Sequence, residues 1–184
     1  MIPDYYDLLD RVHRHLRPRT YVEIGVQRGL SLRSVGQGTT AIGIDPEAPA
    51  EPPEEASATI RLFAETSDDF FAQHDLRAEL DGRDLDLGFI DGLHLFEYAL
   101  RDFVNLERHC HAGSVILVHD CIPLDEECAS RERKTVAWTG DVWKLIACLR
   151  AERPDLDVAT ADVPPTGMAV ITGLDPSSTA LSEG

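Results

Sequence analysis

The sequence predicts an α/β fold in which a mostly parallel sheet is covered by helices on both faces. Three observations predict it. Short β-branched runs alternate with helical stretches, the rhythm of repeated βαβ units. The strand bodies are apolar throughout, as strands buried on both faces must be. Polar residues collect at the strand ends instead: Glu23 and Gly25, Asp45, residues 64–67, Asp91, and His119 with Asp120. In open sheets of this kind ligands bind outside the carboxyl ends of the strands, so these positions form the candidate site.

In chain order, Tyr5, Leu8, Leu9, Val12 and Leu16 recur at helical spacing between Asp4 and Arg17, and Pro18 stops this first helix. A strand over 20–24 runs into a glycine-bearing turn and a second helix reaching Val35. Residues 41–45 (AIGID) form a buried strand, and the proline-rich, acidic stretch 46–57 is a solvated loop. A strand over 58–64, a helix over 67–80 and a strand over 85–91 (LDLGFID) follow. Residues 93–111 form a long helix with Phe96, Ala99, Leu100, Phe103, Leu106 and Cys110 on one face. The clearest buried strand is 114–118, SVILV. A polar loop over 121–138 leads to a helix over 140–153, which Pro154 ends. Short strands over 156–160 and 168–172 complete the fold, and 174–184 is expected to be a disordered tail.

A length of 184 residues fits one domain, and a chain of this size buries roughly 70% of its unfolded surface on folding. No apolar run approaches the roughly 20 residues that span a bilayer. The acidic start, MIPDYYDLLDR, has neither the basic region nor the apolar run of a secretory signal, so a cytoplasmic protein is expected. Cys110, Cys121, Cys128 and Cys148 have no C-x-x-C spacing and are expected to be reduced thiols. The formal net charge is -16, from 33 acidic and 17 basic side chains. That field repels polyanions, which argues against nucleic acids and anionic membranes as partners and for a neutral or cationic small molecule.

The segment from Tyr21 to Gly29, YVEIGVQRG, is a strand–turn–helix junction with glycines four apart. Gly25 lets the backbone turn sharply close to a ligand. Gly29 and the helix after it can offer free N–H groups to a carboxylate. Asp45 closes the next strand, where its carboxylate can accept both hydroxyls of an adenosine ribose. Nicotinamide and S-adenosylmethionine (SAM) sites share this layout. Two details separate them: G-x-G-x-x-G is absent, and Glu23 before the turn would oppose a pyrophosphate but suits the cationic amino-acid end of SAM.

With these residues in place, the chain resembles the class I SAM-dependent methyltransferases. YVEIGVQRG is similar to their first motif, E-x-G-x-x-x-G, and IGID to their second. LGFIDGLHLFE followed by GSVILVHD is similar to the fourth and fifth strands of the small-molecule O-methyltransferase branch, which includes catechol-type and macrolide-sugar enzymes. The resemblance covers about residues 20–173 and implies one methyltransferase domain over 1–173. It implies a Rossmann-like, seven-stranded sheet with the last strand antiparallel. By the same resemblance Glu23, Gly25 and Gly29 surround the methionine part of SAM, Asp45 holds the ribose, and Glu65, Thr66 and Ser67 border the adenine.

A hydroxyl acceptor must lose its proton, which a positioned base or a Lewis-acidic metal achieves. The candidates are Asp91, His94, His119 and Asp120. If Asp91 and Asp120 end adjacent strands, their carboxylates converge on one cation, with His119 as a further ligand. In the related enzymes the position of His119 holds an acid. Histidine there puts Mg²⁺ in question and also admits a softer divalent metal such as Mn²⁺ or Fe²⁺. His94 is a candidate base or a further ligand, and His119 is the other candidate base. The remaining histidines, His13, His15, His74, His109 and His111, are expected in solvent. Trp138 and Trp143 are candidates for an aromatic wall over the acceptor, with Asp141 reading a polar group of it or else capping its own helix. The function expected is methyl transfer from SAM to a hydroxyl of a sugar or phenol. A metal-dependent hydroxylase, an N-methyltransferase and a non-catalytic SAM-binding subunit are the alternatives. Little chain precedes the first strand, so the acceptor must be covered by a homodimer partner or by the 121–138 loop.

Overall fold

The computed structural model of the protein describes residues 4–53 and 58–181. Four residues of the expected 46–57 loop and the last three of the chain lie outside it. The elements are α1 (Tyr5–Leu16), β1 (Thr20–Ile24), a 3₁₀ turn (Ser31–Ser34), β2 (Thr40–Ile44), β3 (Thr59–Phe63), α2 (Ser67–Gln73) and α3 (Leu76–Glu79). Then follow β4 (Leu85–Ile90), α4 (Phe96–Glu107), β5 (Cys110–His119), α5 (Trp143–Glu152), β6 (Asp157–Ala161) and β7 (Met168–Thr172). The seven strands form one sheet in the order β3-β2-β1-β4-β5-β7-β6. The pairs from β3 across to β5 are parallel, and β7 is antiparallel to both neighbours, as the resemblance implies.

Each central strand divides its side chains between two apolar layers, which is why these segments read as continuous apolar runs. Val22, Ile24, Ile42, Ile44, Ile90, Ile116 and Val118 face Phe70 of α2, Phe103 and Leu106 of α4, and Leu145 and Leu149 of α5. Their sequence neighbours Tyr21, Ala41, Leu87, Phe89, Val115 and Leu117 face Leu9 of α1 and Leu32 of the 3₁₀ turn. α1 begins where the Asp4 side chain accepts the Asp7 N–H at 3.0 Å, and it ends at Arg17, left-handed at φ 48°, just before Pro18.

The structure departs from the sequence expectations in several places. The helix expected over 67–80 is split into α2 and α3 by the extended residues His74 and Asp75, and β5 starts at Cys110, before the expected 114. The helix expected before Val35 is one 3₁₀ turn. Gly25, Gln27 and Gly29 all have positive φ, so helical winding cannot begin until residue 30, and Gly36 and Gly38 follow closely. α4 starts at Phe96 rather than near 93, because residues 91–95 form a loop at the end of the sheet. His13, four residues after Leu9, falls on the buried face of α1 and packs edge-on against Tyr21 at 4.6 Å, so it is not in solvent. Burial there lowers its pKa to about 4. Finally, the described part of the expected tail, 174–181, runs in turns against the domain, with Leu174 buried and Leu181 packed on the core. All four cysteines are free thiols, and among the described residues no helix is long and apolar enough to cross a membrane.

A buried ion pair anchors that last segment. Arg153, after α5, makes two bonds to the Glu107 carboxylate at 2.8 and 2.9 Å, and both side chains are almost fully enclosed. Glu107 also accepts the Asp175 N–H at 3.2 Å. Removing one partner leaves the other charge buried alone, which typically costs about 3–5 kcal/mol, whereas an apolar replacement of both is far better tolerated. Urea denaturation should therefore show Arg153→Met losing stability of that order, and Arg153→Met with Glu107→Leu recovering most of it. Strictly additive losses would show that the two side chains are not coupled.

Candidate active site

A cavity of about 870 Å³ opens at the carboxyl ends of the central strands. One side of it is the turn after β1. Gly25 adopts φ +94°, and a Cβ there would collide with the Asp91 carbonyl, because the end of β4 crosses directly against this turn. The turn is tied to the next strand by Asp45, whose carboxylate accepts the Gln27 N–H at 2.8 Å and the Glu47 N–H at 2.7 Å. Gly25, Asp45, Thr66 and Ser67 all line the cavity. Three other residues expected to bind the cofactor do not. The Gly29 N–H is committed to the Val26 carbonyl at 2.8 Å, and Glu65 pairs with His74 at 2.9 Å. Glu23 is fully buried behind the turn, where the hydroxyls of Tyr21, at 2.8 Å, and Ser31 both donate to it.

The other side of the cavity is built by β4 and β5. Parallel pairing sets Ile90 beside Val118, so the next residues, Asp91 and His119, emerge side by side. The His119 Nδ1 lies 3.1 Å from Asp91 Oδ1 and 3.5 Å from Asp120 Oδ2, and its ring stacks on Tyr5 of α1 at 4.0 Å. Burial alone would lower the His119 pKa. Hydrogen bonds and charge from Asp120 and Asp91 outweigh that and push it up to about 10. Burial likewise works to raise Asp120, but the His119 bond, the charges of His119 and His94, and the Thr166 hydroxyl hold it below the ordinary carboxylate value. His94 reaches the same place from the loop after β4, its Nδ1 3.2 Å from Asp120 Oδ2 and its Nε2 3.8 Å from Asp91 Oδ1. Asp91, His94 and Asp120 offer ligand atoms all within 4.8 Å of one another, a set able to hold a cation. The histidine of that set is His94, which the sequence offered as a base or a further ligand; His119, the ligand expected beside the two acids, is not part of it.

The residues expected to wall the acceptor separate. Trp138 lines the cavity and stacks on His94 at 5.1 Å. Trp143 begins α5, is 40% exposed, and lies outside the cavity wall. Asp141 is enclosed, and neither of its expected roles describes it. Its carboxylate accepts the Phe96 N–H at 2.7 Å, capping α4 rather than its own helix, and it binds Arg131 at 2.8 Å and Lys144 at 2.9 Å. Sequence reasoning missed Tyr5 and Tyr6, whose helix reads simply as core-facing, and Asp102, a buried acid on α4 that also lines the cavity. Burial, against a hydrogen bond from Ser67, pushes Asp102 up to about 7. Its spacing from Ala99 and Leu106 already put it on the inner face.

The family described as methyltransferase domain matches residues 22–121, which spans β1 to the end of β5 and includes both halves of the cavity. The chain belongs to that family. No curated protein sequence matches it. Among solved structures it is similar to the SAM-bound O-methyltransferase TomG of tomaymycin synthesis from Streptomyces achromogenes: TM-score 0.67, 16% identity, covering 91% of this chain and 78% of that one. It is similar also to an O-methyltransferase from Bacillus cereus in complex with SAH: TM-score 0.63, 14% identity, covering 91% and 80%. A cofactor-bound protein from MTB, Rv0187, overlays with TM-score 0.68 at 17% identity, covering 93% and 80%. At these identities the likeness establishes a shared fold.

Glu23 has a measurable signature. Burial, against the bonds from Ser31 and Tyr21, pushes its pKa from 4.5 up to about 8. Between those two values the folded protein holds more protons than the unfolded chain, so this carboxyl makes stability fall as pH rises. Glu23→Gln removes the titration. From pH 5 to pH 8 the stability of the variant relative to wild type should rise, on the order of a few kcal/mol. A melting-temperature difference that does not move with pH would refute the shift.

Proposed function

We propose that this protein transfers a methyl group from SAM to a hydroxyl of a small molecule. One observation carries the reading: a single cavity joins the Gly25 turn, tied down by Asp45, to the cluster of Asp91, His94 and Asp120. In this reading the first half is the cofactor side and the second the acceptor side. SAM, when bound, supplies an electrophilic methyl for in-line displacement. The SAM- and SAH-bound neighbours support that assignment.

The remaining work falls to the chain's own residues. Asp45 offers acceptor oxygens to the ribose hydroxyls, and Thr66 and Ser67 flank the adenine side. Acids dominate the wall, through Asp45, Glu47, Asp68, Asp69, Asp91 and Asp120 against Arg28 and Arg133. That balance favours a sulfonium cation and disfavours a phosphorylated acceptor. Tyr5, Tyr6 and Trp138 give the acceptor flat apolar surface, so α1 and the 121–138 loop provide its cover from within one chain. His119, whose pKa lies near 10, is already protonated at neutral pH and acts as the cation that holds Asp91 and Asp120 together. Deprotonation of the acceptor therefore belongs to His94, held beside both carboxylates. Two carboxylates and one imidazole also suit a divalent cation such as Mg²⁺, Mn²⁺ or Fe²⁺, which would lower the hydroxyl pKa. Asp91, His94 and Asp120 would hold it, and His94 would then be a ligand in place of the base.

Calorimetry with SAH tests the cofactor side. Micromolar one-to-one binding, about -8 kcal/mol, should be abolished by Asp45→Ala. A folded sample that binds no SAH would remove the reading. On the acceptor side, Asp91→Asn should cut turnover of labelled SAM on a phenol and sugar panel at least tenfold, with SAH affinity within a few-fold of wild type. Equal loss of both would refute the division of roles. Chelation followed by Mg²⁺ or Mn²⁺ restoration, read as turnover, reports whether the cation is used.

A further inference from the structure

We propose that residues 138–141 form a brace that fixes the orientation and the tautomer of His94, with Asp141 as its positioning residue. His94 sits in the irregular loop between β4 and α4, with Gly92 before it and no side-chain cap at Leu95 after it. Its own loop gives it one long side-chain contact, to Asp91 at 3.8 Å. Four closer contacts come from a segment more than 40 residues away.

The Trp138 carbonyl lies 2.5 Å from His94 Nδ1, and the Trp138 ring stacks on the imidazole at an interplanar angle of 21°. A carbonyl oxygen only accepts, so Nδ1 must carry the proton. Asp120 Oδ2, at 3.2 Å from the same nitrogen, is an acceptor as well. The opposite tautomer would turn a lone pair onto both oxygens. The neutral ring therefore presents its free lone pair at Nε2, the atom on the Asp91 side.

The backbone completes the brace. The Asp141 N–H donates to the His94 carbonyl at 3.3 Å. Gly140, at φ +52°, approaches that carbonyl so closely that a Cβ would collide with it. The Asp141 carboxylate caps the first turn of α4 through the Phe96 N–H, two residues beyond His94. It is held in place by Lys144 and by Arg131, which also grips both Glu97 oxygens at 2.6 and 3.0 Å. With these donors on it, Asp141 serves His94 rather than the acceptor. The turnover part of the test rests on the methyltransferase reading; the spectroscopic part does not.

The experiment is ¹⁵N–¹H correlation NMR of histidine-labelled protein at about pH 8.5, where an ordinary imidazole is neutral, with His94 assigned through His94→Gln. Wild type should show a single Nδ1–H tautomer for His94, and Asp141→Ala should show tautomer mixing or line broadening there. Turnover at saturating SAM should fall about 10- to 100-fold in Asp141→Ala, with SAH affinity within threefold. Asp141→Asn keeps an oxygen for the Phe96 N–H and should retain most activity. An Nε2–H tautomer in wild type would overturn the proposal without any variant, and so would an unchanged His94 signal in folded Asp141→Ala. A protein that binds no SAH but shows the expected His94 spectrum would leave the brace standing and refute the methyltransferase function alone.

Discussion

Two carboxylates at the ends of neighbouring parallel strands repel each other unless something cationic lies between them. At the top of β4 and β5 that cation is His119, whose Nδ1 faces both Asp91 and Asp120. Much of the molecule meets at this ring. Parallel register brings Asp91 and His119 level. α1 covers the imidazole with Tyr5, and Thr166, before β7, binds the far oxygen of Asp120. α1 is itself tethered there, since the Tyr5 N–H donates to the Pro164 carbonyl at 3.1 Å. The first helix, the central strands and the approach to the last strand thus share one electrostatic requirement. An acid in the place of His119 would add a third negative charge to the same spot. With histidine there, the chain carries its own counter-charge.

The sheet was legible because its physics is local and repetitive. The central strands announce themselves as apolar runs, the edge strand β3 by its alternation, and every expected strand is present. Asp91, His119 and Asp120 were legible for the same reason, as polar residues where an apolar strand stops. The antiparallel last strand came from the resemblance to a family, since periodicity carries no information on strand direction.

Other features depend on contacts that sequence spacing does not encode. Glycines four apart look the same whether a helix or a 3₁₀ turn follows; the positive φ at Gln27, not a glycine, decides it. Glu23 reads as a ligand-facing acid because it precedes the turn, yet its inward strand position places it under Ser31 and Tyr21. Asp141 reads as a cap for the helix that follows it, but it caps a helix 45 residues earlier, and only loop geometry selects between those two. Residues 174–181 read as polar tail, while the Asp175 N–H finds the Glu107 carboxylate across the fold.

The trans cap on α4 also bears on how such a site can change. In many α/β enzymes the loops that shape the pocket mouth are interchangeable modules, free to vary while the catalytic residues stay on rigid strands. Here residues 131–141 both border the cavity and hold the loop that carries His94, through Trp138 on one side and Asp141 on the other. A transplanted or shortened loop would alter the mouth of the pocket and release His94 in the same step. Changes to the mouth that leave these contacts in place are therefore confined to cavity-lining positions outside the brace, such as Val136 and Arg133, and Tyr6 of α1.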